Sequence, residues 1–264
     1  MSENLEISES DEVAGRAVTG KPLWSELGNL VRAEWIRLRT QRAVWWSFFG
    51  FMAPTTVLIA VVAMQQGPAA TDGVALITLS LLLLQLGFAV VGAVFVGTEF
   101  GHGTMHGTLL AAPRRHRVVA AKCVTMAIFG FGLGVFSAVF IVLVDAAARG
   151  QAPAVDLKVM RTILGMGAYL SVLGAFTVSV AILLRNTIGA VLTMIAVVYV
   201  IPVAAAPLLG IPNLTDLWPT IAGLAFVVPE VNATLSPVLS FSVFLFETLI
   251  IAMAASAYFN RRDV

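Results

Sequence analysis

Residues Val74–Gly97 read VALITLSLLLLQLGFAVVGAVFVG, twenty-four consecutive positions without a charged side chain. The hydrocarbon core of a bilayer asks for about 20 such residues in one helix. Four more charge-free tracts of that kind flank it, running approximately over Ala43–Met64, Val124–Val144, Thr162–Leu184 and Thr187–Leu209. A sixth, Pro237–Phe259, carries a single acid, Glu247, near its middle. Barrel strands are about ten residues long and alternate strictly, so continuous tracts of this length predict helices. The expected fold is an all-α membrane protein with six transmembrane helices.

Composition agrees. Of 264 residues, 59% are hydrophobic and 12% charged, with a mean hydropathy of +0.92. Soluble domains carry roughly a quarter charged residues, and the 31 Lys, Arg, Asp and Glu here cannot clothe a water-exposed exterior. Lipid replaces the missing polar surface. Pro54 and Pro202 lie inside two tracts and glycines run from Gly130 to Gly134; membrane helices accept both, as kinks or as close-packing faces.

Basic residues near helix ends set orientation. Thirteen of the sixteen fall before the first tract, between the second and third, in the turn at Arg185, or at the end of the chain; only Arg149, Lys158 and Arg161 fall on the other side. A multi-pass protein of the cell membrane with cytoplasmic N- and C-termini is therefore expected. Residues 1–20, with Glu3, Glu6, Glu9, Asp11 and Glu12, read as a disordered acidic tail rather than a cleaved signal. Over residues 21–42, Trp24, Leu27, Val31, Trp35 and Leu38 recur at helical spacing with arginines on the other face. This predicts an amphipathic interfacial helix, with a cytoplasmic extension of the first span as the alternative. Residues 43–264 form the six-helix domain. Cys123, the single cysteine, excludes an internal disulfide and reads as a small packing residue.

The segment from Glu99 to Lys122 reads EFGHGTMHGTLLAAPRRHRVVAAK. An acid ends the second tract, Gly-Thr and a run of Leu follow, and a Pro with basic residues and an Ala-Lys lead into the third. This loop resembles that of the ABC-2 type transporter permeases, the membrane subunits of bacterial ABC exporters. The resemblance extends to Glu34-Trp-Ile-Arg-Leu-Arg39 before the first span, to the six helices and to the non-basic apolar segment between helices five and six.

The resemblance implies a cytoplasmic coupling helix at about Phe100–Leu110 that docks on a separate ATPase subunit. Its site residues would be Glu99, Phe100, Gly103, Thr104, Met105, Thr108, Leu109, Leu110, Arg114, Arg115 and Arg117. The apolar edge of Phe100, Met105, Leu109 and Leu110 suits a protein partner, and the arginines would meet acids on it or anionic lipid. It further implies a second permease subunit, as a homodimer or heterodimer, an exporter rather than an enzyme, and ATP and Mg on the partner. The chain shows no Gly-x-x-x-x-Gly-Lys-Ser/Thr loop of its own.

Other chemistry is poorly supported. His102 and His106 stand four apart with Glu99 three before, but Gly101, Gly103 and Gly107 weaken the helix that would align them, so no metal is expected. An intramembrane enzyme would need converging nucleophiles or aspartates, which the tracts lack. A secondary carrier or channel without an ATPase partner is the alternative, although one acid and no visible repeat argue against it. Glu247 reads either as a substrate-path or dimer-interface residue or as a buried acid bonded to Gln85 or nearby hydroxyls. Gly210–Leu235, with its apolar Ile221–Val228 bounded by Pro219 and Pro229, is too short to cross and predicts a re-entrant pair of helices on the outer side.

Overall fold

The computed structural model describes residues 23–66, 73–101, 115–153, 155–204, 215–229 and 234–261, and every regular element among them is helical. Helix α1 spans Leu23–Thr40, α2 Arg42–Gln66, α3 Gly73–Gly101, α4 Arg115–Arg149 and α5 Leu157–Leu184. Helix α6 runs over Thr187–Ala204 with a π-helical turn at Ala196–Val200. A 3-10 turn at Thr215–Leu217 precedes the short α7, Pro219–Val227, and α8 covers Pro237–Arg261. Six of these helices, α2 to α6 and α8, are long and apolar enough to cross a membrane. The third of these begins well before the Val124 expected from sequence, because the charge that bounded the apolar tract, Lys122, lies inside the helix.

Helix α5 is the hub. Of its most apolar window 72% is buried, against 17% for α6 and 22% for α8, and it packs on α3, α4, α6, α7 and α8. Its most extensive contact is with α4, and small residues make that contact possible. A Cβ added at Gly134 would stand 2.8 Å from the Gly167 Cα, and one at Gly130 would stand 2.5 Å from the Leu170 carbonyl oxygen. Lipid tails are as apolar as leucine, so membrane helices gain from close backbone approach rather than from escape from solvent. Gly132, between them, faces open space.

Caps define the ends of α5. Asp156 accepts a hydrogen bond from the Val159 amide at 2.8 Å. At the other end Arg185 takes a left-handed conformation, φ 51° and ψ 22°, and Asn186 then caps α6 by accepting from the Gly189 amide at 3.0 Å. Two residues thus reverse the chain between two spans. A left-handed non-glycine residue is strained, at roughly 1–3 kcal/mol. The Arg185 guanidinium is held over the rings of Phe100, Tyr258 and Phe259 at 6.0, 5.6 and 5.8 Å, contacts that offset part of that cost.

The π turn in α6 has a local cause and a local consequence. Within it Ile201 donates to the Ala196 carbonyl, five residues back. The next donor in that register would be position 202, which is proline and has no N–H. The Val197 carbonyl so released accepts from the Trp218 indole at 2.7 Å, with the Thr220 hydroxyl at 3.4 Å, and this fastens the start of α7 to α6. Helix α7 then lies on α8 through Gly223 against Phe244 and through the Phe226 and Phe241 rings, 4.6 Å apart.

If the α4–α5 contact is set by backbone approach, Gly134→Leu is expected to cost about 1–3 kcal/mol through overpacking, whereas Gly132→Leu leaves stability unchanged. Thermal unfolding in detergent, followed by the monodisperse fraction on size exclusion, measures both; equal losses would remove the close-packing account.

Candidate functional site

Charges are scarce among the spans, so the place where they gather is informative. Glu99 stands in the last turn of α3, where the exposed carbonyls of a helix end already concentrate negative potential. A carboxylate there is unfavourable unless cations are brought to it. Two are: Lys122 from α4 and Arg37 from α1.

The Lys122 side chain is fully buried, Glu99 is 2% exposed and Glu34 is 6% exposed. The Lys122 ammonium donates to Glu34 Oε1 at 2.7 Å and to Glu99 Oε1. Arg37 Nη1 contacts the same Glu99 oxygen and lies 3.4 Å from Glu34 Oε2, while its Nη2 donates to the Phe95 carbonyl at 3.0 Å. Both cations also stand over the buried Phe95 ring, at 5.3 and 5.4 Å from its centroid. Burial holds the Arg37 pKa below its ordinary value, with the adjacent Glu34 opposing only part of that shift. Two carboxylates and two cations balance, which is the condition under which buried ions are tolerated at all.

This cluster joins three helices that are distant in sequence. Further contacts widen the joint: Gln41 donates to the Thr98 hydroxyl at 2.6 Å, Arg117 pairs with Glu26, and Trp35 and Trp45 both meet the Phe129 ring edge-on. Sequence periodicity assigned the arginines of α1 to the face away from its apolar side. Arg37 instead turns inward, because Glu99 and the last carbonyls of α3 attract it. Arg117, expected to face a partner or lipid, is engaged by Glu26 of the same chain.

The remaining expected residues fall as follows. Phe100 packs beside the Arg185 guanidinium at the same end of the bundle. Arg115 opens α4 and His116 is exposed. Gly103, Thr104, Met105, Thr108, Leu109, Leu110 and Arg114, with His102 and His106, lie outside the described residues, as does the acidic tail 1–20. Gln85, one expected partner of Glu247, accepts instead from the buried Tyr169 hydroxyl at 2.8 Å. Glu247 borders a separate cavity, and its Oε2 has no hydrogen-bond partner among the described residues. Sequence reasoning treated Arg185 as a marker of orientation, and Lys122 as that and as part of the loop's Ala-Lys motif, without a partner for either. A lysine followed without interruption by a long apolar run was the available signal that it would be drawn into a helix.

A family model for ABC-2 family transporter proteins matches residues 30–205. The chain belongs to that family. The match covers α1 from its middle through α6, and so includes Glu34, Arg37, Glu99 and Lys122, while Glu26, α7, α8 and Glu247 lie beyond it. Membership makes this chain a multi-pass membrane component of an ABC transporter and implies a partner ATPase. No curated protein matches the chain significantly.

Lys122→Met leaves two carboxylates facing one guanidinium and is expected to cost about 3–5 kcal/mol. Adding Glu34→Gln restores the balance and should recover more than half of that loss. The double-mutant comparison by thermal unfolding decides; additive losses would mean that the four groups are not one electrostatic unit.

Proposed function

We propose that this ABC-2 protein is the permease subunit of an ATP-driven exporter and that the loop between α3 and α4 docks on a separate ATPase subunit. The observation that carries the reading is the joint at the two ends of that loop. Glu99 immediately before it and Lys122 shortly after it meet each other and Glu34 of α1. A push on the loop therefore reaches α1, α3 and α4 together instead of being absorbed by a slack hinge.

In this reading Phe100, Met105, Leu109 and Leu110 form the apolar docking edge, with Glu99, Gly103, Thr104, Thr108, Arg114 and Arg115 shaping and flanking it. ATP and Mg2+ are bound and used by the partner, and this chain is not itself an enzyme. Two permease subunits, identical or related, enclose the pathway.

The cationic end of the bundle is the cytoplasmic one. Contacts at that end bring together Gln41, Thr98, Lys122, Arg185 and Tyr258, near which most of the basic residues lie, and positive charge favours the inside. Helix α1 then lies along the inner interface, with Trp35 at headgroup depth. Helix α7, only nine residues long, is a re-entrant element capping the outer side.

Co-purification in mild detergent of the tagged chain from its native membrane tests the reading. An ATP-binding cassette ATPase is expected with the wild type, and is expected to be lost, with folding kept, when Phe100, Met105 and Leu109 are changed to Asp. Absence of any ATPase from the wild-type preparation would overturn it.

A further inference from the structure

Glu247 borders a cavity of ≈ 240 Å³, open on one side to the surface of the bundle and lined by Phe176 of α5, Val197 of the π turn, Trp218 at the start of α7, and Ile250 and Ile251 of α8. Three features set this cavity apart. First, Glu247 is the one charged residue that lines it among the described residues. No lysine, arginine or histidine accompanies it, in contrast to the balanced cluster around Glu99. Second, Glu247 Oε2 is buried and has no hydrogen-bond partner among the described residues, although an acid within a span normally finds one. Third, the walls are built rather than incidental. The Trp218 indole is locked to the Val197 carbonyl at 2.7 Å, and Phe176 packs on Phe244 with ring centroids 6.3 Å apart.

We infer that this cavity binds the cationic head of a small amphiphile, an alkylammonium group whose charge is met by Glu247 and whose methyl or methylene groups lie on Trp218 and Phe176. Aromatic faces attract ammonium groups most strongly where water is excluded, and a carboxylate without an internal counter-ion gains most from a cation that enters. An anionic head would meet like charge, and an uncharged one would leave the carboxylate uncompensated. The cavity holds a trimethylammonium-sized head and the first carbons of a chain; the remaining tail lies along the apolar helices. The inference rests on the permease reading only for the step from bound molecule to cargo.

The test is binding to the purified chain in phosphatidylglycerol nanodiscs, which contain no ammonium head group, with empty discs subtracted, using radiolabelled decyltrimethylammonium and the uncharged decyldimethylphosphine oxide. Saturable binding of the cation is expected, with at least tenfold preference over the uncharged analogue. Glu247→Gln should weaken it at least tenfold, and Glu247→Asp, which keeps the charge, should retain most of it; size exclusion confirms that each variant is folded. No saturable binding, equal binding of the two probes, or unchanged affinity in Glu247→Gln overturns the inference. No ATPase is present in this assay, so its failure is separable from failure of the co-purification experiment.

Discussion

Charge neutrality inside a medium that cannot solvate ions governs how the helices meet at one end of this protein. Glu99 at the end of α3 adds a full negative charge to a helix terminus that is already negative. Lys122 and Arg37 answer it, and Glu34 in turn balances the pair. No member can leave without stranding a buried partner, so α1, α3 and α4 are held in one relative arrangement. The order of the loop's two ends, the inward turn of Arg37 and the early start of α4 all follow from that requirement.

Away from this joint, cohesion has a different origin. Between α4 and α5 the weak contact of Cys123 with Ser179 at 3.5 Å contributes little, and glycines bring the backbones together so that dispersion contacts become dense. Helix α5 is buried on nearly all sides, and the others arrange themselves around it. The two modes divide the molecule. Ionic contacts fix the end where a partner is proposed to push, and close packing with isolated hydrogen bonds, such as Tyr169 to Gln85, organises the spans through which that push would travel.

How far the sequence could be read depended on whether a feature is local. A charge-free tract of twenty residues is written in one stretch of chain, and all six spans were legible within a few residues except where Lys122 intervened. Its neutralising partners stand 88 and 23 positions away, and no local pattern shows that they will meet it. The inward turn of Arg37 was hidden for the same reason, since helical periodicity sorts a residue by its own polarity and not by what waits on the next helix. Gln85 was legible as a polar intruder, but its pairing with Tyr169 depends on how α3 and α5 pack. Glu247 stood out from the start; that it lines an aromatic-walled cavity needed α7 to be seen folded against α6.

The released carbonyl of Val197 links two positions that never touch. Pro202 cannot supply the backbone donor that Val197 would otherwise receive, and Trp218 supplies a side-chain donor from another helix. A residue with an N–H at 202 would make the indole redundant, and losing the indole while keeping the proline would leave Val197 relying on the longer Thr220 contact. The two sites are thus coupled through a single oxygen atom, so that the effect of exchanging one depends on which residue occupies the other.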